Sequence, residues 1–303
     1  MNELLTALAS GIVAASLYVT FGLGLAVVYR ASGVLNFAHG AIGTVSAYVM
    51  LSMLHSLPYP LAALISIACG TVFAVLVQVL IVRSLPSHSA EVVGIATLGV
   101  LIVTEGILLG IYGGDAKALP SPFSSHTVFR VGSYHVQTSN ILDVAVAGAA
   151  SILLGLLLFR TKAGLEIRAV SEGSRTAAMF GVDPGRARMV VWAASGALAA
   201  VAGLLITPSN FLSPDFLTTF LVGTFVAVVL GGFESILGVV IGGVVFGIVQ
   251  ALFLVYITAR LSSTFSFAVI VVVLVFLPYG VVGHSLPRCL LYTSPSPRDR
   301  QKS

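Results

Sequence analysis

The chain has little charge. Its 15 basic and 11 acidic residues make up 9% of 303 positions, against roughly 25% in soluble domains. That is too little to cover a water-facing surface, which excludes an ordinary cytosolic enzyme, a nucleic-acid binder and a disordered chain. Lysine is scarcer still: Lys117, Lys162 and Lys302 are the only ones, and none follows a glycine. A phosphate-binding P-loop, which needs Gly-Lys-Ser/Thr, is therefore absent. Two separated cysteines, Cys69 and Cys289, make no disulfide framework. There is no His-Glu-x-x-His helix, and the only histidine after Ser195-Gly196 is His284, beyond the last apolar run. The chain reads as neither an enzyme nor a cofactor carrier. Met1-Asn2-Glu3 lacks a basic n-region, so the first apolar run is expected to stay as a span and not to be cleaved as a signal peptide.

What is present is apolar, 57% of the residues. Long runs cover Leu4–Tyr29, Phe37–Leu54, Leu61–Val82, Val92–Tyr112, Ile141–Phe159, Met189–Ile206, Leu217–Leu230, Ile236–Ile257 and Phe265–Val282. Backbone polar groups cannot stay bare in lipid, and these runs lack the alternation of barrel strands, so helices are expected. The fold class is an all-α polytopic transmembrane bundle of about 8–10 spans, each of ~20 residues. Two polar segments interrupt it. Gly113–Asn140 is rich in Gly, Pro, Ser and Thr. Arg160–Arg188 sets Arg160, Lys162, Arg168, Arg175, Arg186 and Arg188 against Glu166, Glu172 and Asp183. Basic residues gather in cytoplasmic loops. Alternation from that segment puts Gly113–Asn140 and the N-terminus outside and the C-terminus inside. Arg30 and Arg83 agree with this; Arg260 does not.

Asn36-Phe37-Ala38-His39-Gly40 sits at a predicted membrane edge. It reads either as a helix break beside a translocation path, with Asn36 and His39 lining it, or as a helix start capped by Asn36. Glu105 lies deep in an apolar run that also holds Thr97 and Thr104. It reads as a path residue or as an acid packed against a partner helix. Glu234 reads as a solvated end residue. In 160–188, Leu165, Ile167, Ala169, Val170, Ala177, Ala178, Met179 and Phe180 are interleaved with the charges. Gly173 and Gly181 divide the segment into short helices, and Asp183-Pro184-Gly185 signals a turn. Such a segment either docks a soluble partner or lies on the anionic inner leaflet. Gly238, Gly242, Gly243 and Gly247 mark small faces for close helix packing.

Three stretches carry a resemblance to a known family. They are Gly33–Tyr48, Gly164–Gly203, and Leu230-Gly231-Gly232 followed by Ser235, Gly238, Gly242 and Gly243. In this order the chain resembles the membrane permeases of branched-chain amino-acid ABC transporters, the LivH/LivM type and its LivH-like branch, from about Leu4 to Gly283. It departs from the family at Ala41, where an acid is common, and at Gly173, where Asn is frequent. The resemblance implies an inner-membrane importer subunit that pairs with a second permease, identical or not. It also implies two cytoplasmic ATPases, an extracytoplasmic binding protein and an amino-acid substrate. By position, Gly164, Arg168, Ala169, Glu172, Ala177, Ala178 and Gly181 become the ATPase-docking candidates. Asn36, His39, Thr97 and Glu105 are the substrate-path candidates. The family also includes urea and short-amide permeases. An ion-coupled secondary transporter, with Glu105 as a proton site, is the rival from another class.

The permease domain is expected to span residues 1–287, with the docking loop at 160–188. Residues 288–303 have no family counterpart and resemble translated adapter sequence, a non-native disordered tail. From Cys289 to Ser303, Arg298, Arg300 and Lys302 against Asp299 make up half of the formal net charge of +4.

Overall fold

The computed structural model describes residues 2–85, 90–121, 126–277 and 280–281; the tail expected to be non-native lies outside them. Helices α1 (Asn2–Ser32), α2 (His39–Met53), α3 (Tyr59–Leu80) and α4 (Ala90–Tyr112) come first. A hairpin of β1 (Thr127–Val131) and β2 (Tyr134–Gln137) leads into α5 (Thr138–Arg160). Two short helices follow, α6 (Lys162–Glu172) and α7 (Ser174–Met179). The chain closes with α8 (Pro184–Ile206), α9 (Phe216–Gly231), α10 (Ile236–Tyr256) and α11 (Ser262–Phe276).

The nine apolar runs all form helices, and α1, α3, α4, α5, α8 and α10 are long and apolar enough to cross a membrane. Helices α2, α9 and α11 are shorter, with 15, 16 and 15 residues. At ~1.5 Å per residue they reach about 23 Å, short of a ~30 Å hydrocarbon core. Local chemistry explains the ends. Gly33, at φ +67°, ends α1 with its N–H on the Tyr29 carbonyl at 2.6 Å, the left-handed stop that glycine tolerates. Pro60 sits in the first turn of α3, where a missing N–H costs nothing. Asp183, read above as part of a turn, is the N-cap of α8; its carboxylate accepts from the N–H groups of Gly185 and Arg186.

Helix α1 is the centre. Of its most apolar 18-residue stretch, 83% is buried. A helix that is apolar all round belongs inside a bundle, and α1 packs against α5, α8, α9 and α10. Its contact with α10 is nearly backbone to backbone. A Cβ on Gly247 would lie 2.7 Å from Ala15 Cα, one on Gly243 2.6 Å from a Val19 methyl, and one on Gly11 2.8 Å from Ile248 Cα. The other glycines of α10, Gly238 and Gly242, face Gly231 and Ala227 of α9. One helix thus seats two neighbours on two small-residue faces.

The hairpin was not foreseen from the composition of 113–140. Its signal was the two-residue turn Gly132-Ser133 between β-prone Val-Phe-Arg-Val and Tyr-His-Val. It ties the segment between α4 and α5 to the start of α1, because the Ser133 N–H donates to Thr6 Oγ1 at 2.8 Å. Lys117 and Leu212 pair their backbones at this same end. The opposite end gathers Arg30 and Arg168 over the ring of Phe159, Tyr29 against Phe233, and the Val281 N–H on the Leu230 carbonyl.

The glycine contacts predict a contrast. Gly247→Val should destabilise the bundle by about 1–3 kcal/mol through overpacking. Gly148→Ala, on α5 with nothing within 4 Å of its Cβ position, should be neutral. Thermal unfolding of the purified variants in detergent checks this.

Candidate functional site

Between α1 and α2 the backbone leaves helical form, and Thr97 of α4 closes the gap. Its Oγ1 accepts the Phe37 N–H at 3.1 Å and donates to the Gly94 carbonyl at 2.8 Å. Asn36 does not cap α2. The capping position is Ala38, and only the Asn36 backbone carbonyl is used, by the His39 N–H at 3.3 Å. The Asn36 side chain is 1% exposed, and neither its oxygen nor its nitrogen has a partner. Buried amides are nearly always bonded, which sets this side chain apart from the other polar groups of the break.

His39, read as an edge residue, lies in the core with no exposure. Nε2 is 3.0 Å from the Phe21 carbonyl of α1, and Nδ1 is 3.3 Å from Ser195 Oγ of α8. A carbonyl only accepts, so Nε2 carries the hydrogen, and Nδ1 of the neutral ring accepts from the Ser195 hydroxyl. His39 thereby bolts α2 to α1 and α8. Gly24 is required beside it, since any Cβ there would strike the imidazole.

Glu105 is half-buried and accepts a short hydrogen bond from Thr218 on α9. Thr218 also lines a cleft of about 580 Å³ at the hairpin end, between α1, α9, α10 and α11. A relay of polar groups borders this cleft: the Tyr18 hydroxyl donates to Gln250 Oε1 at 2.6 Å, and Gln250 Nε2 donates to Ser262 Oγ at 3.3 Å. Phe211, Phe216 and Phe267 supply apolar wall. The four path candidates do not share one pocket. Thr97 meets the backbone of Leu35 and Phe37, on either side of Asn36, and His39 points into the core. Glu105 stands two helical turns along α4 from Thr97, about 12 Å, and reaches the cleft through Thr218. From the sequence, Glu105 is the one acid deep in an apolar run. Asp143, on α5, is more deeply buried at 4% exposure. It lies inside the apolar run Ile141–Phe159, where no acid is singled out from the sequence.

The docking candidates split by face. Gly164 and Ala177 are buried, Arg168 and Ala169 are half-buried, and Glu172, Ala178 and Gly181 are exposed. Gly164 lets α6 fold back on the last turn of α5, where a side chain would strike the Leu157 and Leu158 carbonyls. Thr161 caps α6 by accepting from the Gly164 N–H at 3.0 Å. Ile167, Val170 and Ala177 join the core beside Leu158, Ala187 and Val191. The Arg168 guanidinium lies 5.5 Å from the Phe159 ring centre, an attraction of ~0.5–1 kcal/mol. Gly181, at φ +83°, ends α7 and leaves Met179 and Phe180 at 84% exposure each.

Residues 7–274 match the family described as branched-chain amino acid transport system / permease component. The probable branched-chain amino acid transport permease protein LivH of Methanocaldococcus jannaschii is 29% identical over 91% of each chain. The high-affinity branched-chain amino acid permease LivH of Escherichia coli is 27% identical over 90% of this chain and 94% of its own. A more distant relative is the autoinducer 2 import permease LsrD of Salmonella typhi, 23% identical over 72% of this chain and 67% of its own. No solved structure matches.

Thr97→Val keeps the shape of the side chain and strands the Phe37 N–H. It should cost about 1–3 kcal/mol of stability, while Thr97→Ser should hold most of it. Heat denaturation of the two variants checks this.

Proposed function

The chain belongs to the branched-chain amino acid transport permease family, and on that premise we propose that it lines the translocation path of an ATP-driven importer of branched-chain amino acids. It is a membrane permease subunit, a polytopic helical bundle with no catalytic role of its own. ATP hydrolysis belongs to separate subunits: two cytoplasmic ATPases, working with a second permease and an extracytoplasmic binding protein.

The observation that carries this reading is the pair Met179-Phe180. Large apolar side chains exposed to this degree usually mark an interaction surface. They project from α7 at the end that also bears Arg30, Arg160, Lys162, Arg168, Arg175, Arg186 and Arg188. By the positive-inside rule this end is cytoplasmic. The hairpin, the N-terminus and Arg260 then lie outside, Arg260 being the one basic residue against the rule. A flat membrane-lying helix would direct its apolar residues sideways into lipid. Instead, α6 turns Ile167 and Val170 into the bundle and leaves α7 beyond it. The buried face fastens the segment to α1, α5 and α8, so movement of a docked ATPase reaches those spans directly. Gly164, Arg168, Ala169 and Ala177 hold the segment in place; Glu172, Ala178 and Gly181 stand on its outward side.

On the substrate path, Glu105 with Thr218 stands at the outer cleft, and Asn36 with Thr97 stands at the break near the inner side. The cargo is assigned from the LivH relatives, which match over nine-tenths of the chain. The LsrD relative is named for another cargo, so the fold alone does not fix it.

Met179→Ser combined with Phe180→Ser should lower ATPase co-purification at least tenfold and leave the monodispersity and melting of the permease unchanged. Charge reversal at Arg168 and Glu172 together should act in the same direction. Wild-type ATPase recovery and transport from the Met179/Phe180 variant would refute the docking surface.

A further inference from the structure

A second cleft opens at the hairpin end, in the gap between α5 on one side and α3 and α8 on the other. It holds about 330 Å³. Ile67, Leu142, Val201 and Leu204 make its walls aliphatic, and Asp143 lines it as well. No Lys, Arg or His lines it among the described residues. The Asp143 carboxylate takes part in no hydrogen bond or ion pair among the described residues, although the residue is 96% buried. A carboxylate in such surroundings faces a cleft wall that supplies no counter-charge. Acids inside spans generally mark sites where a ligand or ion is met. The hairpin lies within reach of this charge: the Tyr134 phenol is pushed above its ordinary value, first by burial and then by Asp143.

We propose that this cleft binds a primary alkylammonium group, with Asp143 as its counter-ion and the aliphatic wall covering the alkyl chain. Two sources carry that chemistry at the outer face. One is the ammonium and branched side chain of the transported amino acid, a source that rests on the function proposed above. For it, the Ser139 and Ser209 hydroxyls offer donors to the carboxylate. The other is the headgroup of an aminophospholipid entering the gap from the bilayer. The cleft is separate from the Tyr18–Gln250–Ser262 cleft, and none of the path candidates lines it.

The test uses the assembled importer in phosphatidylglycerol nanodiscs, which contain no ammonium. The probe is 3-methylbutylammonium, leucine without its carboxylate; 3-methylbutanol is the uncharged control. At about ten times its Kd the amine should raise the melting midpoint by roughly 3 °C in the wild type and in Asp143→Glu. It should not do so in Asp143→Asn, and the alcohol should act on none of the three. An equal shift in Asp143→Asn, or none in the wild type, overturns the proposal. Loss of the amine shift in phosphatidylethanolamine nanodiscs, with the wild-type midpoint already raised, assigns the site to lipid. A retained shift that leucine displaces assigns it to the substrate. Because the readout is binding, absence of leucine uptake by the wild type would strike the proposed function and leave this result standing.

Discussion

The near-contact of two backbones, α1 and α10, is the constraint on which the rest of the bundle depends. In lipid no hydrophobic force brings helices together, so packing at close range has to do it. Gly11, Gly243 and Gly247 permit that range, with Ala15 and Val19 filling the seam. Once α10 is seated, its other small face receives α9. The opposite sides of α1 are left for α5 and α8. His39 then fastens α2 to this centre with hydrogen bonds to the Phe21 carbonyl of α1 and the Ser195 hydroxyl of α8. The outer helices, α3, α4 and α11, keep large apolar residues such as Leu64, Ile95 and Val275 on their exposed sides.

This arrangement separates a rigid centre from features suited to movement. Among the described residues, the buried side chains with a polar atom lacking a partner are Asn36, Tyr48 and Trp192. At the break between α1 and α2, Asn36 is buried without a partner. At the hairpin end, two clefts separate helices that are otherwise packed. At the arginine-rich end, α6 is welded to the bundle through Gly164 while α7 protrudes. A force applied at α7 therefore enters the spans that border both clefts, because α5 and α8 flank the short helices in the chain. Alternating exposure of a path needs such a lever and such loose seams.

The apolar runs were legible because the bilayer imposes one rule on every span: each backbone group must bond within its own helix. The division of 160–188 at Gly173 and Gly181 was legible for a local reason, since glycine is a poor helix former, and Gly181 stops α7 in the left-handed conformation. The misreadings have long-range causes. His39 looked like an edge residue because its partners, Phe21 and Ser195, are 18 and 156 positions away. The short run Leu217–Leu230 matches α9, whereas α2 and α11 are shorter than the runs that mark them. The hairpin was hidden in a polar segment whose only cue was Gly132-Ser133. Asp143 stands near the start of its run, two residues after Ile141, and α5 packs chiefly against α1. The cleft bounded by Tyr18, Gln250 and Ser262 draws on residues from both ends of the chain, which no local pattern announces.

The central claim is that this chain translocates amino acids under the control of docked ATPases. Leucine uptake into proteoliposomes carrying the complete importer tests it most directly. The account predicts uptake that requires ATP and the binding protein and that persists when the proton gradient is collapsed. Leucine movement by the purified chain alone, driven by an imposed proton gradient without any ATPase subunit, would contradict it.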